Sequence, residues 1–196
     1  MRRKVRYSVE WPGHDAPLGL VEPTLAEVKR YAPDLAGYYN EPVNRALLTN
    51  DHEFAPADVV DQFETMWEDG DRPFLLFEGS ALVGDCDLRN LEADRAEFAI
   101  LVGPRATQGR GKGTRFTTMA LALAFGPLAM ARVYASIRPE NAGSLRMFAK
   151  VGFAVDVSPE ARRYAEAPDD VCVSLGAPEF AAAHAVDLAA LQIKTR

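Results

Sequence analysis

The stretch Gln108-Gly109-Arg110-Gly111-Lys112-Gly113-Thr114 restricts what this chain can become more than any other. The apolar run Phe98-Ala99-Ile100-Leu101-Val102 precedes it, and a helical pattern from Arg115 to Phe125 follows. Alternate glycines between a strand and a helix make a loop whose backbone can approach a ligand closely. The unpaired N–H groups at the helix start, together with the helix dipole, favour an anion there. The expectation is a phosphorylated cofactor held mainly by backbone, with Arg110 and Lys112 either adding charge toward the phosphates or simply solvated.

Three phosphate loops have to be told apart. A P-loop requires Gly, four residues, then Gly-Lys-Ser/Thr. Aligning Gly111-Lys112 on its Gly-Lys pair puts Ala106 at the first glycine and Gly113 at the hydroxyl position, so the match fails at both. A dinucleotide fingerprint requires Gly-x-Gly-x-x-Gly. Its third glycine would be Thr114 or Phe116, depending on the start. The remaining pattern, Gln/Arg-x-x-Gly-x-Gly/Ala, is met by Gln108-x-x-Gly111-x-Gly113. A glycine-rich turn that merely opens a helix would look the same, so the downstream sequence has to decide.

Downstream, Gly126-Pro127 ends the helix, and Arg132-Val133-Tyr134-Ala135-Ser136-Ile137 alternates like a strand. Arg138-Pro139-Glu140-Asn141 leads into Ala142-Gly143-Ser144-Leu145-Arg146-Met147-Phe148-Ala149-Lys150-Val151-Gly152-Phe153. The loop, the Asn-x-x-Ser step, the short helix and Gly-Phe, in this order, resemble the GNAT superfamily of N-acetyltransferases. The Ser-Leu-Arg-Met-Phe wording is most similar to its ribosomal-protein N-terminal acetyltransferase branch (the RimJ/RimL type). Upstream, Tyr38-Tyr39-Asn40-Glu41-Pro42-Val43-Asn44 resembles that branch's aromatic-Asn-Asp-Pro-Glu-Val element. The resemblance runs from roughly Leu18 to Leu175.

Composition is consistent with one enzyme domain. A chain of 196 residues, 48% hydrophobic and 26% charged, can bury a substantial core. No apolar run approaches the length of a membrane span. Met1-Arg2-Arg3-Lys4 is not followed by an apolar segment, so neither a signal peptide nor a membrane partner is expected, and a cytoplasmic location is the default. The net charge of −6 argues against nucleic acid. Cys86 and Cys172 lack Cys-x-x-Cys spacing and read as buried, reduced thiols. His14, His52 and His184 are isolated, and no metal is expected. The acids from Asp51 to Asp71 read as a solvated helix face or as an acidic rim to the substrate side. Met119, Met130 and Met147 read as core filler.

The patterning predicts an α/β (α+β) domain over residues 1–176 and a C-terminal helical extension of the same domain over 177–196. Strands are expected at Leu18–Glu22, Pro73–Phe77, Ala81–Leu88, Arg95–Val102, Arg132–Ile137, Ala154–Val157 and Val171–Leu175. Thr24 and Glu27 form a capping box for one or two helices broken near Pro33 and Pro42. Pro56–Glu68 is a helix with Val59, Val60, Phe63 and Met66 or Trp67 on one face, and Glu179–Ile193 is an alanine-rich helix. The resemblance implies the GNAT fold: a mixed central β-sheet flanked by helices, with splayed central strands holding acyl-CoA.

The resemblance also implies a site. The pantetheine arm of acetyl-CoA would lie beside Ile100-Leu101-Val102, with a backbone N–H facing the thioester oxygen. Gln108, Gly109, Arg110, Gly111, Lys112, Gly113 and Thr114 would hold the pyrophosphate, and Asn141 would bond the arm. The segment between Val102 and Gln108 is longer than in the commonest family form. Many members use a tyrosine acid where this chain has Phe148, which can only pack beside the cofactor. The branch's suggested acid maps to Ser144, otherwise a helix N-cap, and its suggested base to Asp156. Glu97, on the cofactor strand, is a second candidate base, otherwise a cross-strand ion pair. Asp85 and Asp87 would bind a cationic substrate or be solvated. The expected function is transfer of acetyl from acetyl-CoA to a primary amine by direct attack in a ternary complex, with a protein or peptide N-terminus as acceptor. A polyamine, amino sugar or aminoglycoside is the alternative acceptor, and a non-catalytic acyl-CoA-binding module the alternative class. A homodimer is compatible with the chain.

Overall fold

The computed structural model describes residues 5–13, 16–48, 52–103 and 108–196. His14, Asp51 and the segment between Gly103 and Gln108 lie outside them. In chain order the elements are β1 (Tyr7–Trp11), β2 (Leu18–Val21), α1 (Leu25–Asn40), α2 (Pro42–Leu47), α3 (Pro56–Asp69), β3 (Arg72–Glu78), β4 (Ala81–Arg89) and β5 (Arg95–Val102). They continue with α4 (Lys112–Phe125), β6 (Arg132–Ile137), α5 (Ala142–Val151), β7 (Ala154–Val155), a 3₁₀ turn (Ala161–Tyr164), β8 (Val171–Gly176), α6 (Ala177–Ala183), α7 (Ala185–Ala190) and β9 (Gln192–Thr195).

The strands form a single sheet in the order β7-β8-β6-β5-β4-β3-β2-β1-β9. Every pairing is antiparallel except β5 with β6. Alternation along the strands supplies two cores. On one face Phe74, Leu76, Cys86, Leu88, Phe98, Val133 and Ala135 pack with Phe116, Met119 and Leu123 of α4. On the other, Leu75 and Leu82 pack with Val28, Leu35 and Tyr39 of α1 and Val59 and Phe63 of α3. α4 is buried along nearly its whole length, which is why it reads as apolar all round.

The capping box at Thr24 and Glu27 is present. α1 runs through Pro33 instead of breaking there. Pro33 and Lys29 are both exposed, so the carbonyl that loses its donor faces water. α4 starts at Lys112, earlier than Arg115. β1 was not anticipated from the sequence, because its short run carries Ser8 and Glu10 among the apolar residues. The C-terminal segment is not one helix. It breaks at His184 into α6 and α7 and ends in β9, which pairs with β1. β9 is exposed throughout, so no buried face marked it in the sequence.

Cys86 and Cys172 are buried and unpaired. Asp61, Glu64 and Glu68 of α3 are exposed, and Asp58 accepts from the Ala55 backbone N–H, so the described part of that acidic run is a solvated helix face with a cap.

Candidate active site

β5 and β6 pair only where they begin, Arg95 with Arg132, Ala96 with Val133 and Glu97 with Tyr134. Beyond Glu97 the strands part. Phe98 to Val102 stay bonded to β4 on one side and, among the described residues, have no strand on the other. The V opens into a cleft of about 850 Å³. Its walls are the end of β5, the glycine loop, the first turn of α4 and one side of α5.

Of the residues expected to bind a cofactor, Ile100, Leu101, Val102, Gln108, Gly109, Gly111, Lys112, Gly113, Thr114 and Asn141 all line this cleft. Gly111 sits at φ +76, which favours glycine, and a Cβ there would meet no protein atom. The loop is therefore shaped by backbone conformation, and no atom of the described residues fills the space where a Gly111 side chain would stand. α4 begins immediately after Gly111, so the amides of Lys112, Gly113 and Thr114 lack intrahelical acceptors.

Charge at the loop is arranged differently from the expectation. The Lys112 ammonium is bonded to Glu78 Oε2 at 2.7 Å, which ties α4 to β3. Arg110 is exposed and does not line the cleft. Positive charge instead comes from Arg146 and Lys150, one turn apart on α5. Their (i, i+4) spacing and proximity to Asn141 were the available signal. Met147 also lines the cleft and accepts from the Thr117 hydroxyl, so it is not simple core filler.

Ser144 faces the cleft but is not a helix cap. Asn141 caps α5, its Oδ1 accepting from the Ser144 backbone N–H at 3.0 Å. Phe148 does not line the cleft: it is buried against Phe98 and Phe153. Glu97 does not line it either. Its carboxylate accepts from Arg89 at 3.0 Å and Asn90 at 2.7 Å, an ion pair between β4 and β5. Asp156 lies at the β7–β8 end of the sheet, accepting from Ser158 and from the Ser174 hydroxyl at 2.7 Å. Those bonds, the Ser158 side chain foremost, hold its carboxyl below the usual range, which makes it a weak proton acceptor. Asp85 is buried, 7% exposed, and Asp87 is mostly covered but keeps some contact with solvent; burial, the first cause at each, raises both carboxyl groups to about 7.

The segment from Tyr38 to Asn44 holds the mouth of the cleft. Tyr38 donates to the Leu82 carbonyl and Tyr39 to Asp85. Asn40 exchanges two hydrogen bonds with the Phe54 backbone. Glu41 caps α2, and Pro42 opens it. Buried Asn44 donates to the carbonyls of Tyr38 and Gly103 and accepts from Gln108, which also donates to the Val102 carbonyl. One asparagine thus joins α1, the end of β5 and the glycine loop.

Comparison with known proteins agrees with this architecture. The family described as acetyltransferase (GNAT) domain matches residues 18–154, more than half of the chain. No match was found among curated protein sequences. RimJ of Mycobacterium smegmatis, solved in complex with CoA-disulfide, superposes with a TM-score of 0.74 at 20% identity, over 94% of this chain and 96% of that one. The aminoglycoside acetyltransferase AAC(6')-Ib in complex with coenzyme A gives 0.69 at 15% identity, over 83% and 96%. Spermidine N-acetyltransferase from Vibrio cholerae, with CoA and spermine, gives 0.65 at 15%, over 83% and 97%. The chain belongs to the GNAT acetyltransferase family. It is an acyltransferase, which removes the reading as a passive acyl-CoA-binding module.

Proposed function

We propose that this protein transfers an acetyl group from acetyl-CoA to a primary amine in a ternary complex. The observation that carries the reading is the unpaired edge of β5 opening into a cleft floored by the glycine loop. An extended arm bearing amides can add to that edge as a strand would. The amides of Lys112, Gly113 and Thr114 suit a pyrophosphate. Arg146 and Lys150 suit the remaining phosphate. Free backbone N–H groups near Leu101 would face the thioester oxygen as negative charge develops. The solved relatives that carry CoA support the same donor.

For the acceptor, the likeness to RimJ and the Tyr38–Asn44 element favour a protein or peptide N-terminus. A second reading, a small polyamine or aminoglycoside, is favoured by buried Asp85 and largely covered Asp87 on β4, which pairs with the other edge of β5. A panel of peptides, polyamines and aminoglycosides, read by mass spectrometry for a gain of one acetyl group with thiol release in parallel, decides between them. No gain on any amine, with wild-type protein that binds CoA, would defeat the proposal.

Two substitutions test the parts. Gly111→Val puts a β-branched residue at positive φ and a side chain into the cleft. CoA binding measured by calorimetry is expected to weaken by about 100-fold, with the fold retained. An unchanged affinity in a folded variant would remove the loop from the binding site. Ser144→Ala tests proton delivery to the leaving thiolate. A fall in kcat of about 10- to 100-fold with CoA affinity kept is expected. Full kcat would assign Ser144 to shaping the cleft alone.

A further inference from the structure

On β4, Cys86 and Leu88 point into the core beside α4, so Asp85, Asp87 and Arg89 point to the face covered by α1 and α3. Their partners across the ladder are Leu101, Ala99 and Glu97 in turn. Two of these, Leu101 and Ala99, belong to the stretch of β5 that has lost its other neighbour. Directly opposed side chains lie about 5 Å apart. The two aspartates therefore stand one strand away from the open edge, on the other face.

Their hydrogen bonding is incomplete. Tyr39 donates to Asp85 Oδ2 at 2.6 Å, but Asp85 Oδ1 is buried without a hydrogen-bond partner among the described residues. Asp87 Oδ1 is in the same condition, 3.7 Å from Arg89 Nε. Arg89 is shared with Glu97 at 3.0 Å and Glu166 at 2.5 Å. Buried carboxylate oxygens are normally satisfied, because stripping water from them without replacement is costly. Asp87 and Ala99 remain partly exposed, so solvent reaches this side of the ladder. Same-face neighbours on a strand are about 7 Å apart. Asp85 Oδ1 has no partner among the described residues and Asp87 Oδ1 only the long ion pair to Arg89, so a group with several N–H donors and a positive charge would satisfy both.

We propose that Asp85 and Asp87 form the docking site for the acceptor ammonium, that Asp85 Oδ1 accepts its proton, and that Tyr39 acts as a positioning residue through Oδ2. The inference rests on the acetyl-transfer reading above and names the acceptor side of that site. In the step, an N–H bond of R–NH₃⁺ breaks and its proton passes to Asp85. The freed lone pair forms the C–N bond at the thioester carbon, and the C–S bond then breaks to release CoA thiolate. The acylated nitrogen loses its second N–H proton, which reaches the thiolate by relay through the Ser144 hydroxyl or a water. This leaves a neutral amide, CoA thiol and an unchanged Ser144, and Asp85 returns its own proton to solvent.

The electrostatic setting suits this task. Facing the pair are Tyr39 from α1, Arg89 of β4, Glu97 from β5, Asp71 before β3, and Glu166, which reaches Arg89. Burial brings both aspartates to about 7, opposed at Asp85 by the Tyr39 hydroxyl bond and at Asp87 by Arg89, which the neighbouring acids partly offset. An acceptor poised there is ionised about half the time at neutral pH and strong enough as a base to take the proton.

The test compares wild type with Asp85→Asn, Asp87→Asn and Tyr39→Phe. CoA binding by calorimetry should be unchanged in all of them. Loss of CoA binding by wild type itself would overturn the parent reading rather than this one. Acetylation of spermine, kanamycin and an alanine-initiated peptide is then followed from about pH 5.5 to 9. Wild-type kcat/KM for the best of these should rise through an acidic limb near neutrality. Asp85→Asn should lose the limb and about 100-fold in kcat/KM. Asp87→Asn should mainly raise the acceptor KM, by about tenfold. Tyr39→Phe should move the limb to higher pH, because the hydroxyl bond lowers the Asp85 pKa. A limb kept in Asp85→Asn, with kcat/KM within about threefold of wild type, overturns the proposal. Failure of a CoA-binding wild type to acetylate any amine instead overturns the acetyl-transfer reading, and this inference with it, whereas a limb kept in Asp85→Asn overturns this inference alone.

Discussion

At pH 8, Asp85→Asn is expected to unfold at a higher denaturant concentration than wild type, and the difference should shrink as pH falls and close below about pH 4. The Asp85 carboxyl is raised from 3.8 to about 7 in the folded state, burial being the first cause. Between those values the unfolded chain ionises the group and the folded chain does not. Stability conferred by the neutral form is therefore fully present below about pH 4 and is lost as pH rises through about 7. The shift corresponds to about 4 kcal/mol for a fully buried group. The side-chain amide introduced by Asp85→Asn would keep the Tyr39 bond and never ionise, so the alkaline loss should largely disappear. Asp87, raised to about 7 as well, should behave similarly in Asp87→Asn. Groups held low, such as Glu27 and Asp156, act in the opposite direction at acid pH, so the comparison has to be made variant against wild type at each pH. A variant no more stable than wild type at pH 8 would show that the carboxyl carries no ionisation cost. A stabilised but inactive variant would mark a residue kept for chemistry at the expense of stability.

Glu22→Ala should lower unfolding stability by about 3–5 kcal/mol. Glu22 and Arg72 form a two-pronged pair, Nε to Oε1 at 3.0 Å and Nη2 to Oε2 at 2.7 Å, with side chains 6% and 10% exposed. Glu22 also accepts from the Tyr7 backbone N–H, and Arg72 donates to the Val5 carbonyl and lies over the Tyr7 ring. The pair fastens β1 and β3 to the end of β2. Removing the carboxylate leaves a guanidinium buried without its counter-charge. The double variant Glu22→Leu with Arg72→Met should recover much of the loss, because both charges then leave together. Urea denaturation of the three variants checks this. A loss below about 1 kcal/mol in Glu22→Ala would mean that Arg72 finds water instead.

The parts of the fold that were legible in the sequence are those where local pattern and final environment agree. β5 and β6 have the same limits in sequence and structure because their apolar runs are bounded by polar turns. The glycine loop was legible because a backbone-shaped site needs glycine. β9 was not, since an exposed edge strand carries no burial pattern, and its alanine-rich approach favours helix. At the site, spacing identified the cleft walls but not the partners of charged side chains. Lys112 is neutralised by Glu78, far off in sequence, while Arg146 and Lys150 face the cleft from a helix read mainly for its motif. Asp85 and Asp87 alternate with apolar residues as a half-exposed strand would. Only the placement of α1 over β4 reveals that they are covered, a long-range fact that Tyr39 makes visible through its bond to Asp85.

The splayed pair of strands sets a gauge. β5 and β6 are fixed together at Glu97 and Tyr134, and the gap between them starts from nothing there and widens toward Val102. Depth of entry into such a wedge is set by thickness: a slender chain travels far before both walls touch it, and a bulky one stops sooner. The apex is held by the ladder hydrogen bonds between β5 and β6, while Glu97's bonds to Arg89 and Asn90 brace β5 against β4 behind it. Where along β5 the leading end of an entering molecule comes to rest is thus decided by its girth, and a second strand of polypeptide, far wider than a single alkyl thread, is stopped near the mouth.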